Sequence, residues 1–189
     1  MLHARAAGYP VPEVMKVRHD GLVMERIEGP TMWDALRQNP SQIGRYARML
    51  AELHRRLHRI PPAPEAIARY GDPLPDDVLL HGDLHPMNVM LSARGPVVVD
   101  WTNAGRGAAA IDVADTWLVL EAAALSLGGP ADGDMRDLVR AFLADFLVAV
   151  GCQEAAGHLG IAARWRMKDP NLSAAELEAM RRLADRQGT

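Results

Sequence analysis

From Ile43 onward the apolar residues recur every third or fourth position, at Ile43, Tyr46, Ala47, Leu50, Leu53, Leu57 and Ile60. That spacing is one buried face of a helix, expected over 40–58. Asn39 is its expected cap, Pro40 suits the first helical position, and Pro61-Pro62 end it. Earlier, Gly8, Pro10 and Pro12 stop whatever helix the first seven residues form. Two strand-like runs follow, 12–19 and 22–28, and Asp20-Gly21 between them is a strong hairpin signal. Thr31 to Asp34 reads as a capping box opening a short helix. Residues 61–77 are polar and rich in proline, hence loop. Short apolar runs at 88–92 and 96–100, on either side of Ala93-Arg94-Gly95, form a second hairpin. Beyond Gly107 the periodicity is helical: 109–127, then 135–150, then a last helix capped by Ser173 and Glu176 and running to about Arg186. Strand is scarce and clustered, so the fold class is α+β and mostly helical.

The composition leaves this picture intact and narrows the function. The 189 residues are 49% hydrophobic and 24% charged, enough for a packed core without covalent staples. A net charge of -3 and a pI near 6.1 argue against a nucleic-acid partner. No apolar run approaches a membrane span, and the start lacks the apolar core of a signal peptide. Cys152 is the lone cysteine, which excludes an internal disulfide and fits a cytoplasmic location.

The candidate chemistry lies in His81-Gly82-Asp83-Leu84-His85-Pro86-Met87-Asn88 and in Val97-Val98-Val99-Asp100-Trp101. A three-residue turn at 93–95 would set Asn88 opposite Asp100, on one face of the hairpin. An amide oxygen beside a carboxylate suits Mg²⁺, which takes oxygen ligands and lets substrate phosphates supply the rest. Asp83, five residues before Asn88 in a Gly- and Pro-containing turn, can orient an attacking hydroxyl without being a ligand. A kinase catalytic loop has the same arithmetic: an aspartate, a metal-binding asparagine five residues on, and a second metal-binding aspartate on a following strand.

These motifs resemble the aminoglycoside phosphotransferase and choline kinase-like small-molecule kinases, which share the protein-kinase fold. Gly8-Tyr9-Pro10-Val11-Pro12 is similar to the family's link from its first large helix to the next strand, 22–29 to the hinge, Ala51 to His54 to the end of the helix after the hinge, and Ile111 to Ala114 to its buried aspartate. The resemblance covers about residues 1–120. It implies a remnant of a small lobe and hinge at 1–28 and a helical large lobe at 29–189. It implies ATP and Mg²⁺ as cofactors and a small-molecule hydroxyl as acceptor. Asp83 would be the catalytic residue, Asn88 and Asp100 the metal ligands, and His81 and Asp112 structural supports. The Glu25 carbonyl and the Ile27 N–H would meet adenine, with Met24 behind it. The acceptor cannot be read from these motifs.

The family's glycine-rich turn and phosphate-gripping lysine have no counterpart here before residue 81; Lys16 follows the Gly-Tyr-Pro link, too late for that role. Weak turnover by this chain is therefore expected. The strands of 12–28 would lack sheet neighbours, so a homodimer through their bare edge, or poor solubility, is expected. Two other readings stay open. A nucleotide- or partner-binding module would bind without turnover. A metal hydrolase would use His81, Asp83 and His85 with His54, His58 or His158.

Overall fold

The computed structural model describes residues 1–19, 21–69, 71, 76–127, 129, 132–151, 153–169 and 172–185. Asp20, Cys152 and Arg186, each singled out above, lie outside them. Helix α1 (Leu2–Ala6) leads into the hairpin β1 (Val14–Arg18) and β2 (Gly21–Met24). Helices α2 (Met32–Gln38) and α3 (Ile43–Leu57) follow, then β3 (Val78–Leu80), β4 (Val89–Ser92), β5 (Gly95–Val98) and β6 (Gly105–Gly107). Four helices complete the chain: α4 (Ala109–Ser126), α5 (Gly133–Val150), α6 (Ala155–Arg166) and α7 (Ala174–Asp185).

The α3 stripe is buried as its period requires, through Tyr46, Ala47, Leu50, Leu53 and Leu57. Its start differs from expectation. Residues 40–42 form a 3₁₀ turn, and the Asn39 side chain accepts from Ser41 Oγ (2.6 Å) instead of capping the helix. Thr31 caps α2 through the Asp34 N–H, and the Ser173–Glu176 box opens α7. Helix α4 is apolar almost all round, which obliges it to be central. It packs against α5, α6, α7 and β3. Its three buried polar residues, Asp112, Asp115 and Thr116, stand at i, i+3 and i+4 on one face. Helix α6 and strands β3 and β6 carried no individual signal in the sequence. β3 and β6 are three residues each, too short for a period to show.

Two antiparallel pairs frame the active end. β3 pairs with β6 and β4 with β5. The loop 81–88 runs from the first pair to the second, and the segment 99–104 runs back, so the two lie side by side. Their contact is close: a Cβ on Gly82 would sit 2.5 Å from the Asn103 carbonyl oxygen, and Gly82 takes φ +71°. The β4–β5 hairpin is held on both flanks, since Leu91 N–H donates to Pro30 O (2.8 Å) and Val98 N–H to Pro10 O (2.8 Å).

The hairpin register corrects the expected pairing. Ser92 opposes Gly95 and Val89 opposes Val98, so the turn holds two residues, not three. Gly95 belongs to the strand, and its φ of +109° absorbs the bend that the turn would otherwise take. Asn88 consequently faces Val99, whose N–H donates to Asn88 O (3.0 Å), and not Asp100.

Candidate active site

Asp83 lies in the loop that leaves β3. Its side chain is 15% exposed and is met from three directions. Arg166 Nη2, from the end of α6, approaches Oδ1 at 2.6 Å. His85 Nε2 lies 3.3 Å from the same oxygen. His85 Nδ1 accepts the Met87 N–H, which leaves the ring proton on Nε2 to donate to Asp83. Asn88 Nδ2 donates to the Asp83 carbonyl (2.8 Å) and lies 3.3 Å from Oδ2. Burial alone would raise the Asp83 pKa, but the His85 hydrogen bond and the Arg166 charge outweigh it and hold it at about 2. Asp83 is therefore an anion under all ordinary conditions.

The loop rests on Asp112. This carboxylate is fully buried and accepts Gly82 N–H (2.7 Å) and His81 N–H (3.3 Å), with His58 Nε2 at 3.0 Å. Its pKa is lowered: burial pushes it up, and the His58 hydrogen bond and charge pull it further down. The His81 ring, also buried, reaches Val99 O (3.0 Å) and so ties the loop to the neighbouring segment. Burial lowers the pKa of His81, and it lowers that of His54 to about 3, so both rings are neutral. Thr116 Oγ1 donates to Leu84 O (2.7 Å), fixing the loop one residue beyond Asp83.

Asn88 turns its amide nitrogen toward Asp83, so its oxygen is the end available to a cation. Asp100 is exposed, takes φ +58°, and accepts from Thr102 Oγ1 (2.7 Å). Asn88 and Asp100 offer only oxygen donors, one of them a carboxylate, and this set fits Mg²⁺. They stand at the ends of the paired strands without being cross-strand partners.

At the other end of the hairpin, residues 25–28 and the β4–β5 turn line a cleft of about 320 Å³. Glu25 sends its carboxylate to Arg94 (2.6 Å) and its N–H to Glu13 O (2.8 Å). Among the described residues neither the Glu25 carbonyl nor the Ile27 N–H enters a backbone hydrogen bond. Met24 closes β2 opposite Val14 and is exposed.

The hydrolase grouping does not assemble. His81 Nε2 is taken up by Val99 O, and the described residues that cluster at metal-ligand distance are His54, His58 and Asp112. Two residues at the site were invisible in the sequence reading. Arg166 comes from a helix 83 positions away and has no local signature. Asp115 lies 3.6 Å from Arg166 Nη1 and is buried. A second carboxylate three residues after Asp112, on so apolar a helix, was the available hint that a cation must come to meet it.

A sequence model of the phosphotransferase enzyme family matches residues 1–77 and 63–154. A probable serine/threonine-protein kinase BUD32 homolog of Archaeoglobus fulgidus is 34% identical over 98 residues, 52% of this chain and 38% of that protein. The match thus spans well under half the length of that curated relative. In three dimensions the chain is similar to an aminoglycoside-3'-phosphotransferase of type VIII, with TM-score 0.51, 20% identity, and 97% of this chain and 76% of that one covered. It is also similar to amicoumacin kinase hAmiN in complex with AMP-PNP, Ca²⁺ and its ligand Ami, with TM-score 0.56, 12% identity, and 98% and 74% covered. At these identities the structural likeness carries the fold, which is α+β and protein-kinase-like with a mostly helical lobe.

Proposed function

The chain belongs to the phosphotransferase enzyme family, and from that premise we propose that it transfers the γ-phosphoryl group of ATP to a hydroxyl of a small molecule with Mg²⁺ present. The observation that carries this reading is the state of Asp83: ionised, turned by Asn88 and His85, and seated on a loop that Asp112 holds from below. A carboxylate with so low a pKa is a poor proton acceptor in the ground state. Its work is to accept a hydrogen bond from the acceptor hydroxyl and aim the oxygen, taking the proton only as the bond to phosphorus forms. Asn88 and Asp100 would hold Mg²⁺, which supplies neutralisation of the phosphate charge when bound. The Glu25 carbonyl and Ile27 N–H, which enter no backbone hydrogen bond among the described residues, would meet an adenine edge, with Met24 behind it.

A cytoplasmic reaction is part of the proposal. Among the described residues no helix is long and apolar enough to cross a membrane. A homodimer is a further part, supported by Met15, Val17, Leu22 and Val23, which the two-stranded β1–β2 sheet leaves exposed. Light scattering on Val17→Lys would read it, the variant being monomeric.

Calorimetric titration with ATP, with and without Mg²⁺, on this chain and on Asp100→Asn, tests the transferase reading. Mg²⁺-dependent binding that the variant loses is expected; an ATP affinity indifferent to both changes would remove the reading. The Arg166 contact on Asp83 favours one alternative, a nucleotide-binding module whose carboxylate is occupied. That alternative binds ATP equally and releases no ADP with any acceptor.

A further inference from the structure

Gly82, next to Asp83, forms the floor of a cleft of about 380 Å³ that the nucleotide and metal assignments do not use. Its walls bring together parts of the chain distant in sequence: Arg69 from the long loop, Asn103 after β5, and Trp165, Arg166 and Lys168 at the end of α6. Arg69 and Lys168 both lie on the same indole, with Cζ at 4.9 Å and Nζ at 4.5 Å from the Trp165 ring centroid. Arg166 extends from that wall to Asp83. Three cations therefore border one small space, two of them on one aromatic ring.

Carboxylates share this lining. Asp115 stands behind Arg166, buried in α4, and Asp83 meets the same guanidinium from the other side. Asp169 lies exposed on the rim. Arg69 donates through Nη2 to Asn103 Oδ1 (3.3 Å), while its buried Nε has no hydrogen-bond partner among the described residues. Arg69 and Lys168, gathered beside one rigid aromatic face, suit a planar or tetrahedral anion.

We propose that this cleft binds an anionic group of the acceptor, so that the alcohol phosphorylated at Asp83 also carries a carboxylate or a phosphate. The proposal rests on the phosphotransferase reading of Asp83. An anion held by Arg69 and Lys168 leaves the rest of a short molecule lying toward Gly82 and Asp83, where its hydroxyl would be aimed. A polycationic acceptor would meet Arg69 and Lys168 on the same wall and be disfavoured. Arg166 serves as the link: it borders the same cleft and positions Asp83.

The test is calorimetry on the whole chain saturated with AMP-PNP and Mg²⁺, using D-glycerate, glycerol 3-phosphate, glycerol and the polycation kanamycin as probes. At least one anionic alcohol should bind about tenfold or more tighter than glycerol or kanamycin, and Lys168→Glu, on the surface, should lower that affinity about tenfold. The AMP-PNP affinity should be the same in both proteins. Whether glycerate or glycerol 3-phosphate binds more tightly tells carboxylate from phosphate. Equal or tighter binding of glycerol or kanamycin, no binding of either anionic alcohol, or indifference to Lys168→Glu overturns the proposal and leaves the transferase reading standing. Anion binding that responds to Lys168→Glu while AMP-PNP fails to bind supports the anion site and sinks the transferase reading instead.

Discussion

Asp112→Asn isolates what holds the 81–88 loop. The carboxylate accepts two backbone N–H groups, from Gly82 at 2.7 Å and His81 at 3.3 Å, and a His58 ring nitrogen at 3.0 Å, all within a fully buried space. An asparagine oxygen can still serve Gly82. Its amide nitrogen then points at the His81 N–H, donor against donor, and that amide is orphaned at a cost of about 1–3 kcal/mol. Loss of charge from the remaining bonds adds roughly 1 kcal/mol. The sum is about 3 kcal/mol, or roughly 6–12 °C in Tm for a domain of this size. The native Asp112 pKa lies below its ordinary value, so its stabilisation is complete above about pH 4 and fades as pH falls through the folded pKa. The variant should lack that contribution to the acid limb. Thermal unfolding from pH 3 to 7, with hydrogen exchange at Gly82 and His81, reads both effects. A Tm within about 2 °C of the parent at pH 7, with exchange unchanged at both amides, would refute the brace.

Three further outcomes follow from the same geometry. Asp83→Asn should cut phosphoryl transfer by about 100-fold or more while ATP affinity is retained, measured by ADP release beside calorimetry. With its pKa at about 2, Asp83 contributes about 2 kcal/mol of stability that is present above pH 4 and lost as pH falls toward 2; Arg166→Met should remove part of it, seen as a smaller difference between urea midpoints at pH 5 and pH 2.5. Gly82→Ala sets a Cβ 2.5 Å from the Asn103 oxygen at φ +71° and should destabilise by about 2 kcal/mol, whereas Gly157→Ala, in α6 with nothing within 4 Å, should stabilise by about 0.5–1 kcal/mol; chemical denaturation of the pair checks both signs.

The local parts of the site were readable because their geometry is set by a few consecutive residues. Asp83 and Asn88 occupy one tight loop, and five positions of chain with a glycine and a proline leave them few ways to stand apart. The Asn88–Asp100 pairing was misread by one residue because Ala93-Arg94-Gly95 looks like a turn with its glycine inside, whereas Gly95 bends within the strand opposite Ser92. One residue of register changes which side chains share a face. His85, taken alone, reads as an ordinary loop histidine; the Met87 N–H on its Nδ1 makes it a donor to Asp83.

Hydrophobic period, caps and turn residues act over four or five positions, so they fixed most helices, both hairpins and the loop that carries Asp83 without reference to the rest of the chain. What surrounds that aspartate was only partly local. Its pKa is lowered by His85, two residues on, and also by Arg166 arriving from α6; the seat of the loop and the placing of Arg166 rest on Asp112 and Asp115 on one face of a buried helix, contacts between segments dozens of residues apart. So does the cleft beside it, where Arg69 and Lys168 meet only because Trp165 lies between them. Electrostatic terms of this kind act through space and low dielectric, and only the packed chain brings the charges within reach of one another.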